Sequence, residues 1–166
     1  MDSVLFLFFS SRFEQNCAGA SNEGSSASSS ERALQAAFQM LHEVLAPYPH
    51  IRIALADERP QTRTFLRGQS EWERDLAARY VGDTVDLYPD ALERAEATRL
   101  DRILRFVDHH KVEHWLALDD TWKWPERYQR FQVGVPHGWP IVEPEVVEKL
   151  VNRLRSMPAT PNRFND

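Results

Sequence analysis

Two pairs of adjacent carboxylates each follow a short apolar run: Asp57-Glu58 after I-R-I-A-L-A, and Asp119-Asp120 after W-L-A-L. Oxygen ligands of this kind hold hard divalent cations, and a positioned carboxyl can move a proton in catalysis. The same residue types also cap turns and remain solvated. A third apolar run, V-L-F-L-F-F at 4–9, ends in Ser10-Ser11, hydroxyls that can donate to an anion. Asp108-His109-His110 and His114 have metal-ligand types at close spacing. They straddle a predicted helix end and strand start, where histidines commonly serve the helix C-terminus instead. Trp122, Trp124, Tyr128 and Phe131 alternate with Lys123, Arg127 and Arg130. Such a segment can stack nucleic-acid bases or simply pack a loop over a sheet edge. Cys17 is the only cysteine, which excludes an intramolecular disulfide and a cysteine-based metal site.

The elements that must position these residues are legible from periodicity. Val4–Phe9 is apolar throughout, as suits a central strand covered on both faces. Residues 18–30 are low-complexity and serine-rich, and read as a flexible loop. A helix is expected from near Ser28–Glu31, which have capping-box spacing, with Leu34, Phe38, Leu41 and Leu45 inward until Pro47 and Pro49 end it. Ile51–Ala56 reads as a second strand, Ser70 to Tyr80 as a helix with a Ser70/Glu73 box, and Thr84–Leu87 as a short third strand. Pro89-Asp90 opens a helix burying Leu92, Leu100, Ile103, Leu104 and Val107. His114–Leu118 and Phe131–Val135 complete the strands. Pro144 suits the first turn of a last helix with Val147, Leu150, Val151 and Leu154 inward, and Pro158 stops it. Alternating strands and helices predict βαβ units: an α/β three-layer sandwich, a Rossmann-like parallel sheet of about five strands with flanking helices. One domain is expected over 1–157, followed by a flexible tail at 158–166. In such a sheet ligands sit outside the carboxyl ends of the strands. The positions there are Phe8–Ser11, Ala56–Arg59 and Asp119-Asp120.

Composition narrows the classes. The chain has 166 residues, 42% hydrophobic and 27% charged, enough for one core and ordinary for a globular protein. A formal net charge of −5 gives no global basic field for nucleic acid, which is therefore not favoured as a partner. No apolar stretch approaches the ~20 residues that span a bilayer, so no membrane association is expected. Val4–Phe9 followed by Ala18-Gly19-Ala20 has the outline of a signal peptide, but Asp2 and the lack of an early Lys or Arg speak against it. With one cysteine, a reducing cytoplasm is the simplest setting.

Four segments together resemble the haloacid dehalogenase-like (HAD) superfamily, and within it the small bacterial domains of Swiss Army Knife RNA repair proteins. They are V-L-F-L-F-F-S-S at 4–11, P-H-I-R-I-A-L at 49–55, W-L-A-L-D-D at 115–120 and V-P-H-G-W at 135–139. The resemblance implies a HAD-like domain without a large cap, its first strand central and its fourth alongside. In the family an Asp-x-Asp-Gly motif follows the first strand. Its first Asp is the nucleophile and its second the acid/base. A hydroxyl after the second strand and a basic residue hold the phosphoryl oxygens, and a carboxylate after the fourth strand binds Mg²⁺. Here Phe8 stands at the nucleophile position, Ser10 at the acid/base and Ser11 at the glycine. Ala56 falls where the hydroxyl belongs, with Thr62 or Thr64 as shifted substitutes, and Arg99 is the basic candidate. Only Asp119 and Asp120 keep their place, as a Mg²⁺ site. No catalytic residue is assigned on this reading.

The implied function is a degenerate HAD-like domain without phosphatase turnover. It would act as a binding or interaction module through an edge made of Ser10, Ser11, Asp57, Glu58 and Arg99, toward a protein or a phosphorylated ligand. The alternative is a divergent Mg²⁺-dependent phosphohydrolase acting on a phosphorylated small molecule or a nucleic-acid end. An RNA-associated role is the third reading, weakly supported by the aromatic-basic segment at 122–131 and opposed by the net acidity.

Overall fold

A strand with no polar face needs cover on both sides, and in the computed structural model β1 (Ser3–Leu7) has it: all five residues are buried. The structure describes residues 3–7, 26–56, 60–120, 124–135 and 143–158. β1 is the middle strand of a five-stranded sheet ordered β3-β2-β1-β4-β5, in which every pairing is parallel. The other strands are β2 (Arg52–Leu55), β3 (Tyr80–Asp83), β4 (His114–Asp119) and β5 (Gln132–Gly134). The helices are α1 (Ser26–Leu45), α2 (Glu71–Arg79), α3 (Ala91–Glu96), α4 (Arg99–His110), α5 (Glu126–Gln129) and α6 (Pro144–Ser156).

Successive side chains of a strand point to opposite faces, and β1 divides accordingly between two cores. Leu5 and Leu7 join Phe38 and Leu41 of α1, Leu76 of α2, and Leu150 and Leu154 of α6. Val4 and Phe6 join Leu100, Ile103 and Phe106 of α4 on the other side. The Phe6 ring meets Phe106 and Trp115 edge-on, with centroids 5.4 and 5.9 Å away. The expected three-layer α/β sandwich with a central first strand is therefore the fold.

Four local expectations are corrected. α1 begins at Ser26, so the last five residues assigned to the serine-rich loop are helical. The third strand is Tyr80–Asp83, and Thr84–Leu87 is a 3-10 helix instead. The chain can pass directly from α2 into β3 because Arg79, the last residue of α2, is buried and donates to the carbonyls of Tyr48 (2.7 Å) and Ile51 (3.4 Å). Gly82 then takes φ +134°, a conformation open to glycine, where the β2–β3 register shifts. The long helix expected after Asp90 is two helices, because Thr98 caps α4. Its Oγ1 accepts from the Asp101 N–H (3.1 Å), and Asp101 accepts from the Thr98 N–H (2.9 Å). Leu92, expected to be inward, lies on the short α3 and is 68% exposed.

The Ser70/Glu73 capping box is present: Ser70 Oγ accepts from the Glu73 N–H at 3.3 Å, and Glu73 Oε2 from the Ser70 N–H at 2.7 Å. Ser70→Ala is expected to cost about 1 kcal/mol in chemical denaturation, the usual effect of losing an N-cap.

Candidate functional site

β4 delivers its carboxylates beside the end of β1. Leu7 pairs with Leu118, so Asp119 is the first residue beyond the last β1–β4 pair, and Phe8 is the next residue in sequence on the β1 side. Asp119 is 0% exposed. An isolated buried carboxylate is very costly, and this one is compensated on both oxygens. Oδ1 accepts from Arg99 Nη1 and Oδ2 from Trp124 Nε1 at 2.8 Å. Arg99 Nη1 also donates to Asp120 Oδ1 at 3.0 Å, so the two Oδ1 atoms converge on a single guanidinium nitrogen.

Local sequence explains the placement of Arg99. Thr98 starts α4, which makes Arg99 its first residue, while Leu100, Ile103 and Phe106 turn that helix onto the Phe6 face of the sheet. A helix leading into a parallel strand runs back across the sheet, so its N-terminus lies at the carboxyl edge. There the helix dipole adds to the attraction for Asp119 and Asp120. Trp124 is brought in by the segment between β4 and β5. It is 2% exposed, and its ring lies 6.2 Å from that of Trp115.

A second buried carboxylate ends β3. Asp83 accepts from Arg63 on Oδ2 and from the Tyr80 hydroxyl on Oδ1 at 2.7 Å. Nothing in the residue spacing signalled this cluster, because Arg63 lies on the 3-10 helix Pro60–Arg67, an element not foreseen. Burial pushes the Tyr80 phenol above its usual range; Arg63 opposes the shift and Asp86 adds to it. A raised folded pKa stabilises the fold while the phenol stays protonated. That contribution is complete below the unfolded value of about 10 and is lost as pH rises through the folded one. Tyr80→Phe should therefore flatten the fall in stability on the alkaline side, read from urea midpoints taken below and above about pH 10.

Other residues singled out by sequence are distributed as follows. Phe8, Ser10, Ser11, Cys17, Asp57, Glu58, Trp122 and Lys123 lie outside the described residues. Ala56 closes the β2 end by donating its N–H to Leu7 O at 2.8 Å. Thr62 is buried and Thr64 half-buried in the 3-10 helix after β2. The His110 ring packs on Phe106 with centroids 4.2 Å apart. Among the described residues, no three His, Cys, Asp or Glu side chains converge as a metal site would require. The aromatic-basic segment is largely engaged in packing. Phe131 stacks on Trp115 at 4.3 Å, while Arg127 and Arg130 lie over the rings of Tyr128 and Phe131. Trp124, Pro125, Glu126 and Gln129 line an open groove, and the Trp124 indole also donates to Asp119.

A parallel sheet with β1 central, β4 beside it and carboxylates at its carboxyl edge is the arrangement expected of a HAD-like domain. The family model for the HAD domain in Swiss Army Knife RNA repair proteins matches residues 9–135, most of the chain, and the chain belongs to that family. Neither the comparison with curated proteins nor that with solved structures returned a match. The Mg²⁺ that family chemistry uses does not fit the described residues as they stand. Both Asp119 oxygens already accept hydrogen bonds, and a guanidinium lies against both carboxylates.

Proposed function

We propose that this HAD-like domain is a binding module without phosphatase turnover. The observation that carries the reading is the absence of any carboxylate from residues 3–13, S-V-L-F-L-F-F-S-S-R-F; the nearest acidic residues are Asp2 and Glu14. The family match begins at Phe9, one residue past the position the resemblance gives to the nucleophile. Moving the first motif by a residue or two still supplies no Asp. A phenyl ring cannot attack phosphorus, and a serine hydroxyl is too weak an acid to replace the carboxyl that protonates a leaving group.

The arrangement of Asp119 supports the same reading, since its charge is spent on Arg99 and Trp124. The binding edge would comprise Ser10, Ser11, Asp57, Glu58 and Arg99 at the carboxyl ends of the strands, facing a phosphorylated ligand or a partner protein in the cytoplasm. The test is a Mg²⁺-supplemented assay on p-nitrophenyl phosphate and nucleotides. Loss of a covalent nucleophile typically removes several orders of magnitude of rate, so no turnover above background is expected. Turnover near ~1 s⁻¹ or above, in the usual enzyme range, would replace this reading with the Mg²⁺-dependent phosphohydrolase.

A further inference from the structure

We infer that Arg99 is the resident cation of this edge: it bridges Asp119 and Asp120 in place of a divalent ion, offsetting one of their two negative charges, and the fold is independent of metal there. A cation bridging two carboxylates sits where an oxygen from each converges. In this chain that position holds Arg99 Nη1, which reaches Oδ1 of both Asp119 and Asp120. The remaining oxygen of Asp119 accepts from Trp124 Nε1 at 2.8 Å. A divalent ion would have to expel a like-charged guanidinium and enter beside a carboxylate with no exposed surface. The Arg99 side chain, in contrast, is 22% exposed, so it joins the buried Asp119 carboxylate to solvent.

Arginine differs from a metal ion in being covalently supplied and permanently charged. The two carboxylates thus keep a bridging cation whatever the divalent-ion concentration, and binding there needs no loaded metal. The inference deepens the binding-module reading and rests on it only in assuming that no Mg²⁺ chemistry must be served. The two fail separately. Phosphatase turnover that survives chelation would sink the module and leave Arg99 as the cation; tight Mg²⁺ binding without turnover would do the reverse.

The test is calorimetric titration of the full chain with Mg²⁺ and Ca²⁺, paired with thermal melts at matched ionic strength. The parent should show no saturable heat and no shift in melting temperature up to about 10 mM, well above the ~1 mM of weak oxygen-ligand sites. Arg99→Ala removes the resident charge and opens the route to two carboxylates that have lost their bridging guanidinium. It should bind at least about tenfold more tightly than the parent and regain melting temperature on adding either ion. If Arg99→Ala does not fold in buffer alone, recovery of its fold by Mg²⁺ or Ca²⁺, and not by NaCl, supports the inference. Failure of either variant state to respond to divalent ions overturns it. Saturable binding to the parent that Asp119→Asn abolishes also overturns it, because the carboxylates would then be open to metal with Arg99 in place.

Discussion

Arg99→Ala should lower the free energy of unfolding by about 3–5 kcal/mol in a metal-free urea titration, the range seen when one partner of a buried pair is removed. The size follows from which partner is left behind. Asp119 has no exposed surface, so its charge cannot recover in water what it loses in the protein. The Trp124 indole still donates to Oδ2 but brings no charge. Removing the acid is expected to be milder. In Asp119→Ala the guanidinium keeps Asp120 and some solvent, while the indole loses its acceptor, an effect of about 1–3 kcal/mol. A double-mutant cycle between the two positions should give a coupling of about 0.5–3 kcal/mol. A cost for Arg99→Ala under about 1 kcal/mol would place the pair among ordinary surface ion pairs.

Phe6→Ala is the other large effect, expected at about 3–5 kcal/mol because a fully buried aromatic would leave a cavity in a packed core. Phe6 has 0% exposure and meets the rings of Phe106 and Trp115 on the α4 face. The loss is comparable to much of the ~5–15 kcal/mol that stabilises a domain. A smaller loss, with the urea slope unchanged, would mean that α4 collapses into the space. Phe6→Leu, which keeps most of the volume, should recover over half of the cost.

The layers were legible because they follow from period-two and period-3.6 patterns in strongly apolar segments. Val4–Leu7 and Trp115–Leu118 have few alternatives to a covered strand. β3 was misplaced because Y-V-G-D carries glycine and aspartate, both depleted in strands, and follows its helix without a turn. What fixes it is tertiary: the buried Arg79 and the freedom of Gly82. The α3–α4 break was signalled by Thr98-x-x-Asp101, a capping pattern hidden within an otherwise helical run. Asp119 and Asp120 were singled out as metal ligands and Arg99 as a phosphate-holding residue, while the contact of Arg99 with both carboxylates followed from neither residue type nor the resemblance. That Trp124 would turn its indole onto Asp119 was not legible either, because a segment linking β4 to β5 has no periodicity from which a side chain's direction follows. The Arg63–Asp83–Tyr80 cluster was missed for the same reason: its members lie on elements whose boundaries local pattern did not set.

Among the described residues, both margins of the sheet are poor templates for intermolecular strand addition. β5 has only three residues, and β3 has four with its register broken beside Gly82. A long, regular edge offers unpaired N–H and C=O groups to another chain; a short or bulged one offers too few in line. The long apolar strands that would aggregate most readily, β1 and β4, each have neighbours on both sides. Order within the sheet thus keeps the most adhesive segments away from its margins, and a variant that loosens β5 would expose β4, whose W-L-A-L run would then meet other chains.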